Sequence, residues 1–169
     1  GAKKISASEH PVEVKEAVLK HAAEEFRHAH YLKVQIPRVS SIPFPSYEKS
    51  SLLGGQIAKY YLHLLDLRIS KVLKHTYGLS GQTLKNTAYI LVTFAIELRA
   101  SELYPLYHEI LKASSSKVSV KSIILEEHGH LSMMAQELDI LPYGEELLEY
   151  ACIFEAELCT QLVKNLEKL

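Results

Sequence analysis

The stretch Ile123-Ile124-Leu125-Glu126-Glu127-His128-Gly129-His130-Leu131 decides how this chain is read. Ile123 and Ile124 lie one turn before Glu127, Leu131 one turn after it and Met134 two turns after it. Apolar residues recurring at three and four mark one face of an amphipathic helix, here over residues 118–138. Glu127 therefore stands where that face calls for a leucine. His130 follows it by three, so the buried face carries Glu-x-x-His.

The same intrusion occurs near the start of the chain. Val14, Val18, Ala22, Ala29, Leu32 and Ile36 trace an amphipathic helix over residues 8–36. Ser6 with Glu9 offers a capping box before it, and Pro11 suits a first turn. Glu25 sits at the centre of the stripe, in Glu25-Phe26-Arg27-His28. Burying a carboxylate without a partner costs on the order of several kcal/mol, so each such Glu must be neutralised, paired or bound to metal. These stripes offer few cations to pair with.

Composition frames the rest. The 169 residues carry 19 Lys+Arg and 20 Asp+Glu, a net charge of -1, which excludes the strongly basic footprint of a phosphate-holding nucleic-acid binder. Only seven Gly and six Pro leave few places to turn, so the elements are long, and sandwiches, barrels and Gly-rich nucleotide folds are disfavoured. The longest uncharged apolar run, residues 88–96, closes at Glu97, far short of a membrane span. The start, Gly1-Ala2-Lys3-Lys4-Ile5-Ser6, has no apolar signal region and no initiator Met, so Gly1 reads as a cleavage scar and native residues are expected upstream. Cys152 and Cys159, seven apart on one helix, are separated by about 10 Å and cannot form a disulfide. A reduced, cytoplasmic protein is expected.

Three further helices follow from the breakers between them. Residues 37–49, with Pro37, Pro43 and Pro45, form the one substantial loop. A second helix covers residues 51–77 and ends at Gly78; a third covers 83–112, kinked at Pro105 and closed by Ser114-Ser115-Ser116. After the fourth, Pro142-Tyr143-Gly144 introduces a fifth over residues 145–168. The expectation is an all-α, single-domain up-and-down bundle of about five long helices over residues 1–169, the second acting as crossover.

Two helices supply single intruders. On the third, Glu97 lies with Ile90, Phe94 and Tyr104; its rival Glu102 has Arg99 beside it as a ready partner. On the fifth, Glu155 is flanked by Leu148, Ala151, Cys152, Leu158, Cys159 and Leu162. Glu25, His28, Glu97, Glu127, His130 and Glu155 thus give four Glu and two His from four helices, the composition of a carboxylate-bridged dinuclear site. Four carboxylates and two divalent ions leave such a site near neutral. Oxygen-rich ligation without thiolates favours iron or manganese over structural zinc.

These residues resemble the ferritin-like di-iron carboxylate superfamily, in which the third bundle helix carries a lone Glu and the fourth a Glu-x-x-His about thirty residues later. Glu97 precedes Glu127 by thirty. The run Ile96-Glu97-Leu98-Arg99-Ala100-Ser101-Glu102 is similar to the corresponding helix of tRNA-modifying hydroxylases. The resemblance implies two iron ions, with manganese as a substitute, and an oxidoreductase that activates dioxygen or peroxide. It also implies a small-molecule or modified-base substrate. The chain has no Rossmann fingerprint or flavin signal, so an electron-donor protein is expected; a homodimer is a further expectation. The family pattern places its first lone Glu about thirty residues before Glu25, ahead of Gly1, so either a native N-terminal helix is missing or Glu155 fills the sixth place.

Other readings remain open. His21, Glu25 and His28 form a His-x-x-x-Glu-x-x-His array that resembles the heme-oxygenase-like di-iron oxidases, with His21 steadying a ligand or substituting for one. The whole bundle can also be a metal-free interaction module, or an iron-oxidising storage protein. His10, His63, His75 and His108 read as solvated or capping residues, His30 and His128 as outward-facing, and Met133 and Met134 as ordinary core. Gly129, inside a helix, either admits a close neighbour or is neutral variation.

Overall fold

In a computed structural model, which describes residues 16–42, 46, 48 and 51–168, the chain is an all-α helical bundle. The five described helices are α1 (Glu16–Val39), α2 (Gly55–His75), α3 (Gly81–Ala113), α4 (Lys121–Asp139) and α5 (Gly144–Leu166). Among the described residues there is no strand. No helix is long and apolar enough to cross a membrane, again among the described residues. The capping box at Ser6 and Glu9, together with Pro11, Pro43 and Pro45, lies outside them.

The breakers act as expected at most boundaries. Gly78 takes φ +66° beyond α2, and the Leu79 N–H returns to the Leu73 carbonyl at 3.0 Å. Ser115 takes φ 54° between α3 and α4. Before α5, Tyr143 turns left-handed at φ 60°, and at Gly144 a Cβ would lie 2.5 Å from the Leu138 carbonyl oxygen, so that turn needs a glycine. Pro37 departs from expectation. It lies inside α1, which runs on to Val39 and closes with Ser40 N–H on the Ile36 carbonyl. In a last turn proline forgoes a single backbone bond, and the cost of breaking a helix interior does not arise.

Among the described residues the chain divides into two compact units, 16–42 with 96–136 and 46–95 with 137–168. In the second unit α2 packs on α5. Leu65, Ile69 and Leu73 of α2 and Leu147, Ala151 and Leu158 of α5 are buried at helical spacing. Residues 87–95 of α3 are buried on every side, as an enclosed segment must be when nearly all its side chains are apolar. Cys152 and Cys159 are not joined in a disulfide.

In the first unit the buried face of α4 runs through Ile123, Glu127, His130 and Met134, as expected, with Ile124 and Leu131 half-buried. The buried face of α1 is the expected one only in part: Val18, Ala22 and His28 are buried, but Ala29 is exposed and His21 and Gln35 turn inward. His21, His28 and Gln35 are seven apart, the spacing of one helical seam, but all three are polar.

Candidate metal centre

The buried seams of α1 and α4 meet across a cluster of imidazoles and carboxylates, with Glu97 of α3 joining it. Two groups of side chains each bring one ligand atom apiece to within 4.8 Å of one another: His21, Glu25, Glu97 and His130, and Glu25, His28 and Glu127. Glu25 belongs to both. Glu97 and Glu127 are each 3% exposed, whereas the Glu25 side chain keeps 20% and marks the solvent side.

Glu127 spans the cluster. Its Oε1 lies 3.3 Å from His28 Nδ1 and its Oε2 lies 3.1 Å from His130 Nδ1. Glu25 Oε1 sits between the same two rings, 3.3 Å from His28 Nδ1 and 3.9 Å from His130 Nδ1. Both imidazoles therefore turn Nδ1 inward. Their other nitrogens are held from behind by carboxylates of the opposite helix: His28 Nε2 meets Glu126 Oε2 at 2.5 Å, and His130 Nε2 meets Glu24 Oε2 at 3.0 Å. Arg27 in turn donates to both oxygens of Glu126, at 3.0 and 2.8 Å.

Each helix thus carries Glu-Glu-x-x-His, and the pairing is reciprocal. In each, the second Glu faces the cluster and the first orients the partner helix's imidazole. Sequence reasoning by apolar stripes found Glu25 and Glu127 and passed over Glu24 and Glu126. The signal that would have found them is the doubled Glu, present in both copies of the motif.

The electrostatics follow from crowding several acids in one place. Burial works against the His28 proton, but Glu127, Glu25 and Glu126 outweigh it and push its pKa up to about 10. His130 likewise rises against burial, to about 11, through Glu127, Glu97 and Glu24. Burial would raise Glu127, yet the His130 and His28 imidazoles hold it well below the usual carboxylate range. Glu97 goes the other way: its burial outweighs the nearby His130 and His21 and pushes its carboxyl up. The Tyr104 phenol is also pushed above its ordinary range, by burial first and then by Glu127, Glu25 and Glu97. Without metal, protons on imidazoles do the neutralising.

Of the residues singled out in the sequence, Glu25, His28, Glu97, Glu127 and His130 are brought together, and His21 joins them. Glu102 is exposed and paired with Arg99. Glu155 is 3% exposed but belongs to the second unit, where the Tyr61 hydroxyl donates to its Oε1 at 2.5 Å; neither group of ligand atoms includes it. His30, His63, His75 and His128 are exposed, and His10 lies outside the described residues. Gly129 is exposed, with nothing within 4 Å of where a Cβ would stand, so it makes no close approach.

No family model, no curated protein and no solved structure matches the chain. The buried His and Glu side chains could hold a metal ion, and that capacity is the functional statement the geometry carries by itself.

Proposed function

We propose that the first unit binds two first-row metal ions, iron foremost and manganese as a substitute, and that the chain is an oxidoreductase of the ferritin-like di-iron class. The observation that carries this reading is Glu127, whose two oxygens each face the inward nitrogen of a different histidine. A carboxylate so placed suits a bridge between two ions. Glu25, His28, Glu97, Glu127 and His130 are the five ligands proposed on this ground.

The donor set fits such ions. It combines carboxylate oxygen with imidazole nitrogen and contains no thiolate, which suits iron or manganese. Glu97 Oε2 is buried without a hydrogen-bond partner, 3.5 Å from His130 Nδ1, a position a cation would satisfy. Glu24, Glu25, Glu97, Glu126 and Glu127 set against Arg27 leave about four negative charges, which two divalent ions cancel.

When bound, a pair of redox-active ions supplies the electrons that reduce dioxygen or peroxide. The chain's own residues do the rest. Glu24 and Glu126 fix the imidazole rings, as carboxylates behind ligating histidines do. His21, Glu97 and Glu127, nearly sealed from solvent, keep water from the inner side. Tyr104 presents a phenol that holds its proton near the carboxylates. Substrate is a small molecule or a modified base, reached from the Glu25 side, and electrons come from a partner protein.

A second reading keeps the metal pair but takes His21, Glu25 and His28 as its core, as in the heme-oxygenase-like oxidases; the presence of all three in the cluster favours it. A third is a metal-free network, in which protonated His28 and His130 answer the carboxylates permanently. Metal analysis of protein purified without chelator decides between metal and no metal. About two equivalents of iron or manganese after anaerobic loading, with oxygen uptake on adding a chemical reductant, is the expected result. Fewer than about 0.2 equivalents, with no gain on Fe(II) addition, sinks the proposal.

A further inference from the structure

The near-symmetry of α1 and α4 fails at one position. Four residues before Glu25 stands His21; four residues before Glu127 stands Ile123. Both are buried, at 1% and 2% exposure, so an apolar side chain is what the matching place on α4 accepts. His21 Nε2 lies 2.9 Å from Glu97 Oε1, and its ring centroid is 4.0 Å from that of His130. Its Nδ1 is buried with no hydrogen-bond partner, as is the other oxygen of Glu97. A buried imidazole beside a buried carboxylate, each with one polar atom lacking a hydrogen bond and the Glu97 oxygen only 3.5 Å from His130 Nδ1, is costly to keep and favours a compensating cation.

We propose that His21 is the sixth metal ligand, in place of Glu155, and that it makes the two metal positions unequal. This rests on the dinuclear reading above. One position draws on His21, Glu25, Glu97 and His130, the other on Glu25, His28 and Glu127. Counting Glu127, whose other oxygen faces His130, the first has five protein donors, two of them imidazoles, and fills first. The second has three donors and keeps more room for an exogenous ligand. The sequence pattern of four Glu and two His becomes three Glu and three His, with the added imidazole at the first position.

His21 could instead only orient Glu97 through their hydrogen bond, so the test must separate ligand from positioning residue. Anaerobic titration of the metal-free chain with Co(II), followed by calorimetry and visible absorption, does this. The wild-type chain is expected to take two equivalents in steps differing about tenfold or more in affinity. His21→Leu and His21→Gln are both expected to lose the tighter step, by about 100-fold or more, with a changed Co(II) spectrum, while Glu155→Gln keeps both steps. Gln can still hydrogen-bond Glu97 but ligates poorly, so it decides the matter even where the Leu variant does not fold. Two unperturbed steps in His21→Gln assign His21 to positioning and overturn the inference, leaving the dinuclear site intact. Loss of a step in Glu155→Gln alone overturns it in favour of Glu155. No Co(II) or Fe(II) binding by the wild-type chain removes the inference together with the reading beneath it.

Discussion

Glu127 and Glu155 invite comparison. Both are glutamates on otherwise apolar helical faces, both are 3% exposed, and by sequence each calls for a compensating partner. Glu155 in the second unit accepts a hydrogen bond from the hydroxyl of Tyr61, a neutral donor from α2. Glu127 in the first unit meets two imidazoles, with Glu25 and Glu97 close by. One buried carboxylate can be answered by a phenol. Several at one level need positive charge, from protons or from metal, and that difference separates a structural acid from a candidate site.

The contrast can be broken most directly at Glu127 itself. Glu127→Gln keeps the shape and removes the charge that both imidazoles face; metal content by elemental analysis is expected to fall from about two equivalents to one or none, with oxygen uptake down by at least about 100-fold. Retention of both ions would show that Glu127, like Glu155, is structural. Next in size are the carboxylates behind the rings. Glu126→Gln and Glu24→Gln are each expected to weaken metal affinity about 10- to 100-fold by calorimetry without changing stoichiometry, the usual effect of losing a group that orients a ligating histidine.

Acid–base behaviour sharpens the comparison without mutation. His28 and His130 have folded-state pKa values of about 10 and about 11, above the ordinary 6.5. Their contribution to stability is complete below about pH 6.5 and disappears as pH rises through 10 to 11. In metal-free protein, hydrogen exchange should therefore show α1 and α4 losing protection before α2 and α5 as pH is raised from 7 to 11. A simultaneous loss in all four helices, or no loss, would contradict the assignment of the imidazoles as the neutralising charges. Occupancy by metal should flatten this dependence, because ligating nitrogens carry no proton to lose.

In the second unit, Tyr61→Phe removes one hydrogen bond to a buried carboxylate. A cost of about 1–2 kcal/mol is expected, seen as a fall of roughly 2–6 °C in Tm, with metal content unchanged. Smallest of all is Ala29→Lys. On the face read from apolar spacing this would bury a charge; on the exposed face where Ala29 lies it should change stability by less than about 0.5 kcal/mol in denaturant melts.

Ala29 also shows where the sequence was legible and where it was not. Helix existence and most boundaries could be read because glycine, proline and serine clusters act locally: Gly78, the serines at 114–116 and the turn at Tyr143 and Gly144 need no tertiary information. The face of α4 could be read because Ile123, Met134 and Leu138 outweigh the polar members between them. The face of α1 was read only in part: Val18, Ala22 and His28 are buried as expected, but His21 and Gln35, which a hydropathy pattern counts as solvent-facing, turn inward. Glu24 and Glu126 escaped for the same reason, as ordinary surface acids until their partners across the unit are known. The phenol that meets Glu155 is 94 residues away in sequence, and no local pattern announces it.

The crossed bonds from His28 to Glu126 and from His130 to Glu24 have a mechanical consequence. They tie α1 to α4 at two points, like cross-ties in a frame, each helix giving an imidazole to one tie and a carboxylate to the other. Sliding one helix past the other, or rotating either about its own axis, would strain these ties. The ties hold the two helices in register, and the cluster's donor atoms with them, without any ion. An ion entering such a frame has protons to displace but little backbone to move, so exchange of one metal for another should be limited by proton release rather than by refolding of the helices.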